Sequence, residues 1–295
     1  MKKALLSLSL VALATFSVQA QELTGTLKKI KEKGAITLGY REASVPFSYL
    51  DAQQKPIGYS MDLCQRVVDA VKTKLGMSNL QVVLQSVNSS NRIPLVQNGT
   101  VDLECGSTTN SMERQKQVAF GVATFQVNVK ALVKKSSGIK DLSGLNNKVV
   151  VTTQGTTSIQ LMKSHEKAKG MEFKEIYAKD HDESFLLLEG DRASAFVMDD
   201  ILLASLQARS KAPADYVMLS DIFRTEPYGI MLRKDDPQFK KLVDDTLVGL
   251  MKSGEIDKIY SKWFMAPIPP KNINLNFPLS SGLKALFQKP SDAGV

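Results

Sequence analysis

The sequence predicts an α/β protein of two lobes with a cleft between them. Two observations carry that expectation. Strand-like and helix-like runs alternate over short connections in two separate sets, and two extended β-rich stretches flank the second set. A third observation locates the cleft. Each set contains a strand that ends in glycine and small hydroxyl residues before a helix begins, at 106–109 and again at 155–158.

The first twenty residues, MKKALLSLSLVALATFSVQA, run in the order basic, apolar, small. That is the pattern of a secretory signal cut after Ala20, and the apolar run is short of the ~20 residues a membrane span needs. No later segment is apolar enough to span a bilayer, so the rest reads as an exported, soluble, untethered chain long enough for two compact domains. The formal net charge of +8 drops to +6 once Lys2 and Lys3 leave with the signal. The remaining lysines are scattered over helix-like segments with no interleaved aromatics, which argues against nucleic acid as a partner. Cys64 and Cys105 fit no zinc spacing. In an oxidising compartment they could pair, or both could be buried free thiols, and spacing alone leaves both open.

In chain order, "GAITLGY" (34–40) reads as a buried strand. "GYSMDLCQRVVDAVKTKLG" (58–76) reads as a helix that Ser60 can cap and Gly76 can end, with Leu63, Val67, Val71 and Leu75 along one face. "LQVVLQ" is a second strand, "NRIPLVQNG" a short helix and "VDLEC" a third strand, which together imply a largely parallel sheet covered on both faces. The pattern resumes at "NKVVVTTQGTTSIQLMKSHEKAKG" and continues to "AFVMDDILLASLQARS". Extended stretches at "FGVATFQVNVKALVKKSSG" and "IFRTEPYGIMLRKDDP" bracket that second unit, and two helices follow. The expected division is therefore 21–125 with 225–295 as the first lobe and 126–224 as the second.

The chemistry gathers at strand ends. Helix N-termini there present free N–H groups and partial positive charge, which suits an anion. "GSTTN" followed by Arg114 offers hydroxyls and a two-pronged match to a carboxylate, and "GTTS" repeats the device in the second unit. Either junction alone is only a capped helix, but two of them facing one cleft can grip one carboxylate. Asp199 and Asp200 end "FVMDD", where a carboxylate can hold an ammonium; one of the two can cap the next helix while the other binds.

"GYREASVPFSY", "QNGTVDLECGSTTNSMERQK", "AKDHDES", "AFVMDD" and "RKDDPQFKKLVDDT" resemble the periplasmic solute-binding proteins of ABC amino-acid importers, most narrowly the glutamate/aspartate-binding group. The resemblance spans essentially all of the chain beyond the signal. It implies the type II periplasmic-binding-protein fold with two hinge strands, a periplasmic monomer, and delivery of glutamate or aspartate to membrane permease subunits, with no metal, cofactor or catalysis. Residue by residue, it implies that Arg114, Thr109 and Thr157 hold the α-carboxylate and that Asp199 and Ser107 hold the α-ammonium. Arg41, Ser89, Arg92 and His181 would then surround the side-chain carboxylate. Arg41, Arg92 and Arg114 against Asp199 leave two excess positive charges, which suits an acidic amino acid better than a neutral one such as glutamine. An enzyme on the same scaffold would need an acid or nucleophile in the cleft, for which Glu104 is the one candidate.

Overall fold

A computed structural model describes residues 22–295, so the leader and its cut after Ala20 lie outside the described residues. Two sheets organise the chain. In the first, the strands run in the order Gln81–Ser86, Ala35–Tyr40, Leu103–Glu104, Met231–Arg233, Val118–Phe120. In the second the order is Lys174–Ala178, Val149–Thr153, Ala195–Asp199, Phe125–Lys134, Tyr216–Met218, with Arg224–Tyr228 also paired to Phe125–Lys134.

The expected parallel pairing holds within each strand–helix–strand set, where a helix carries the chain back to the start of the next strand. It fails where the chain passes between sheets. Phe125–Lys134, Arg224–Tyr228 and Met231–Arg233 pair antiparallel with their neighbours, because no crossover helix returns them to the starting edge. Both sheets are therefore mixed. The first is also less covered than expected: Gln81–Ser86 lies at its edge, and Val82, Val83 and Leu84 stay about 40% exposed.

Helix Tyr59–Leu75 buries the face the periodicity indicates, with Leu63, Val67 and Val71 wholly enclosed. Each such side chain contributes about 1.5–3 kcal/mol. Its N-cap is Gly58, not Ser60. A Cβ at 58 would lie 2.2 Å from the Phe47 carbonyl oxygen, so only glycine lets the helix start that close to the preceding loop. The Ser60 hydroxyl instead donates to the Gly106 carbonyl at 2.7 Å, tying the helix to one of the hydroxyl-rich junctions. A second tie lies alongside. Cys64 and Cys105 form a buried disulfide, which resolves the alternative the sequence left open. Closing its loop of about 40 residues stabilises the fold by about 4 kcal/mol in the chain-entropy picture.

The two strands that run between the sheets pair with each other from Arg224↔Val129 to Tyr228↔Phe125. Their first-sheet end is anchored in aromatic packing. Phe125 lies 4.9 Å from both Phe47 and Phe264, and Tyr228 lies 5.2 Å from Phe47. Stacking of this kind fixes the register of the crossing strands, and with it the placement of any side chain they send toward the cleft. No helix among the described residues is long and apolar enough to cross a membrane.

Candidate ligand-binding site

The predicted residues sit at the carboxyl ends of both sheets. Arg41 directly follows strand Ala35–Tyr40, and Ser89 lies in the loop after Gln81–Ser86. Arg92 opens helix Arg92–Gln97, while Ser107 and Thr109 lie beyond Leu103–Glu104. Arg114 belongs to the single turn Met112–Gln115, which Ser111 caps by accepting the Arg114 N–H at 3.3 Å. From the other sheet, Thr157 immediately precedes helix Ser158–Lys169 without a capping side-chain bond, His181 opens helix His181–Glu189, and Asp199 ends strand Ala195–Asp199. All are buried except Thr157, which is half-buried.

Contacts across the cleft bring the two groups together. Arg114 donates to the Thr109 carbonyl at 2.9 Å on its own side and to the Gly155 carbonyl at 3.1 Å on the other. Arg41 donates to Ser89 Oγ at 2.8 Å and lies 3.4 Å from His181 Nε2 across the gap. Arg92 donates to Thr108 Oγ1 at 2.5 Å and to the Ser107 carbonyl at 3.3 Å. Arg41 Nη1, Arg92 Nε, Ser107 Oγ and Asp199 Oδ1 are buried with no hydrogen-bond partner among the described residues. Unpartnered buried groups of this kind are costly, and here donors and acceptors from both sheets converge on one region.

Burial governs the charge of His181. Burial pushes its imidazole well below the ordinary histidine range, and Arg41 and Arg92 add to the shift. The neutral ring has a defined tautomer. Arg41 can only donate, so Nε2 accepts, and Nδ1–H donates to Thr153 Oγ1 at 2.8 Å. Thr153 in turn lies 2.8 Å from Ser184 Oγ, which donates to the Asp180 carbonyl. His181 therefore supports Arg41 without adding positive charge.

The charge balance also changes. Glu104 and Glu226 are both fully buried beside the arginines, and the sequence-based count included neither. Glu104 accepts from Thr108 Oγ1 at 2.6 Å, while Glu226 pairs with Arg224 at the rim. Arg41, Arg92, Arg114 and Arg224 then oppose Asp199, Glu104 and Glu226, so the excess is one positive charge instead of two. Burial lowers Arg41 to about 10, with Arg92 adding and Glu104 opposing. It lowers Arg114 to about 9, again with help from Arg92. Burial disfavours the charge on Arg92 as well, against the pull of Glu104. The enclosed guanidinium groups thus favour an incoming anion. Asp199 is pushed up to about 8 by burial and by Glu226, although Tyr228 donates its hydroxyl to Oδ2. Asp200 faces the other way, accepting from Ile201 N and Asn128 Nδ2 at 2.9 Å each.

Glu226 is the residue that sequence reasoning missed. Its Oε2 accepts from Thr109 Oγ1 at 2.6 Å and from Thr157 Oγ1 at 2.8 Å, joining the two hydroxyl-rich junctions. A signal was present, since "RTEPYGIML" places a carboxylate in an extended run otherwise fit for burial. Tyr228, two residues on, was missed for the same reason. Glu104 had been noted only as a possible acid, and its Thr108 bond gives it a supporting place behind Arg92.

Residues 36–266 match the bacterial extracellular solute-binding proteins, family 3. An L-glutamate/L-aspartate-binding protein of Pseudomonas aeruginosa is 55% identical over 98% of this chain and 96% of its own length. A glutamate/aspartate import solute-binding protein of Escherichia coli is 51% identical over 99% of this chain and 97% of its own. Among solved structures, an ancestral arginine-binding protein bound to glutamine superposes with a TM-score of 0.69 at 28% identity, covering 78% of this chain and 98% of that one. The arginine-binding protein of T. maritima gives 0.71 at 24% identity over 81% and 99%, a likeness of fold alone. The architecture is the two-lobed periplasmic-binding-protein fold.

Proposed function

The chain belongs to the bacterial extracellular solute-binding proteins of family 3, and on that premise we propose that it captures glutamate and aspartate between its lobes for an ABC importer. The observation that carries this reading is the convergence of buried Arg41, Arg92 and Arg114, with Asp199 facing them from the second sheet. One excess positive charge in the enclosed site matches a ligand of two carboxylates and one ammonium. The near-full-length identity to glutamate/aspartate-binding proteins supports the same class.

In this reading the α-carboxylate lies on Arg114, the Thr109 N–H and the N-terminus of helix Ser158–Lys169. The Thr109 N–H is free for this: the bridge to Tyr228 is made by its neighbours, Asn110 N to Pro227 O at 2.8 Å and Gly229 N to Thr108 O at 3.1 Å. The α-ammonium meets Asp199 Oδ1 and Ser107. The side-chain carboxylate meets Arg41 Nη1, Arg92 and Ser89, with His181 fixing Arg41 from behind. Closure removes water from these pairs and strengthens them. The closed form is then the one that membrane permease subunits receive, and the work is capture and release without bond chemistry. The leader reading places the chain in the periplasm. An affinity near micromolar, about −8 kcal/mol, holds ligand and still releases it.

Isothermal titration of residues 21–295 with acidic, neutral and basic L-amino acids tests this. Glutamate and aspartate should bind with Kd values at least about tenfold below that of glutamine, the equivalent of about 1.4 kcal/mol. Equal binding of glutamine would overturn the acidic assignment.

A further inference from the structure

We infer that Glu226 sets the hydrogen-bond polarity of the α-amino subsite, making the Thr109 and Thr157 hydroxyl oxygens acceptors and so selecting ligands that carry an ammonium. The inference rests on the reading of the cleft as an amino-acid site, and it concerns a residue that reading counts only as charge.

The argument is one of proton counting. A threonine hydroxyl has one proton to donate and lone pairs with which to accept. Thr109 Oγ1 and Thr157 Oγ1 both place that proton on Glu226 Oε2, at 2.6 and 2.8 Å. Neither hydroxyl has a second proton for a ligand carboxylate. What each can still do is accept, and an ammonium is a donor with no acceptor capacity.

The carboxylate is held so that it cannot serve otherwise. Glu226 is 0% exposed, and its Oε1 is gripped by Arg224 through Nε at 3.0 Å and Nη2 at 2.5 Å. Its backbone is fixed opposite Val127 in the paired crossing strands, two residues from the aromatic anchor at Tyr228. Nearby, Asp199 Oδ1, buried and without a hydrogen-bond partner among the described residues, adds an acceptor once an ammonium has displaced any proton it carries. The corner is therefore rich in acceptors, while the donors that can meet the α-carboxylate are Arg114 and backbone N–H groups. An α-amino diacid satisfies both halves. A des-amino or α-keto diacid presents oxygen to oxygen at the acceptor half, and that mismatch is a built-in rejection. Glu226 does this as a positioning residue, through the two threonines.

The test is a set of titrations with L-glutamate and glutarate on wild type, Glu226→Gln, Thr109→Val/Thr157→Val, and the triple variant. In Glu226→Gln the amide oxygen stays on Arg224 and the NH2 faces the threonines, whose protons then turn toward the ligand. Glutamate affinity should fall about tenfold to a hundredfold, the range for a hydrogen bond to a charged group, while glutarate affinity holds or rises. In the threonine-free background the same change should cost less than about twofold, because the oxygens it acts through are gone. Equal loss for glutamate and glutarate, or undiminished loss in the threonine-free background, would overturn the inference and leave Glu226 a structural staple. Thr109→Ser against Thr109→Val reads the same point without touching Glu226. The serine should stay within about threefold of wild type and the valine should not, and wild-type affinity in the valine variant would also overturn the inference. Repeating the contrast with L-glutamine and its des-amino analogue separates this result from the acidic assignment, since the subsite meets only the α-amino end.

Discussion

Gly155→Ala is the most direct probe of closure. Gly155 follows strand Val149–Thr153 in the second sheet and has φ +77°, and it abuts the loop of the first sheet at Ser89. A Cβ there would lie 2.6 Å from the Ser89 carbonyl oxygen, 2.7 Å from its carbon and 2.8 Å from Ser90 Cα. All three are backbone atoms, so no side chain can swing aside. Ordinary contact begins at 3.4 Å, so the lobes must part locally by about 0.8 Å. That displacement stretches the 3.1 Å bond from Arg114 to the Gly155 carbonyl and reopens the site around the arginine proposed to hold the α-carboxylate. Two costs can be told apart. The left-handed backbone costs alanine about 1–2 kcal/mol in open and closed forms alike, which lowers melting temperature without touching affinity. The collision exists only when the lobes are closed, so it appears in binding. A loss of one hydrogen bond to a charged group and part of closure is about 1.5–3 kcal/mol, or roughly a tenfold to a hundredfold rise in Kd for glutamate. Titration calorimetry reads the affinity, and X-ray scattering reads the radius of gyration with saturating ligand, which should stay above the wild-type liganded value. Affinity within twofold of wild type and full compaction would refute the claim that this backbone contact forms on closure.

Three further outcomes follow from the same geometry. Arg114→Ala should abolish amino-acid binding in calorimetry, and affinity retained within tenfold would displace Arg114 from the α-carboxylate. Arg92→Ala should weaken glutamate and aspartate at least about tenfold more than glutamine, whereas an equal loss for all three would make Arg92 a structural partner of Thr108. Burial and Glu226 push the Asp199 carboxyl up, and an arriving ammonium favours its charged form, so glutamate binding should release protons near neutral pH and strengthen as pH rises, read by calorimetry in buffers of differing ionisation enthalpy. Zero proton release at pH 7 would contradict the raised carboxyl.

What the sequence made legible was whatever has a local signature. The four-residue period of Leu63, Val67, Val71 and Leu75, the strand at Ala35–Tyr40 and the hydroxyl-rich junctions each declare themselves within a few residues, and the elements lie where those signals put them. Failures arise where a side chain's partner is distant in sequence. Glu226 meets Thr109 and Thr157 across separations of 117 and 69 residues, and the pairing of Cys64 with Cys105 required the helix and strand to pack first. The Gly58 cap was missed because the reason for it is the Phe47 carbonyl, a contact from outside the helix. The charge state of His181 was not legible for a similar reason: its environment of Arg41 and Arg92 is assembled only by the fold.

Those distant partners explain how recognition and closure become one event. Arg41, Arg92 and Arg114 are buried together and each is disfavoured as a cation by that burial, so the closed arrangement is expensive by itself. A ligand can drive closure only by interacting differently with the open and closed forms. In the proposed site two carboxylates would do so, one near Arg114 and one between Arg41 and Arg92, each offsetting a desolvated charge that open lobes would leave in water. Glutamine brings an amide in place of the second carboxylate: its oxygen can accept from one arginine, but it carries no charge to offset Arg41 and Arg92 and turns an NH2 donor toward donors. Its penalty should then appear as a smaller closed population as well as a weaker Kd. Scattering at saturating glutamine would consequently give a radius of gyration between the unliganded and glutamate-bound values. A glutamine complex as compact as the glutamate complex would mean that closure is driven from the α-amino end alone.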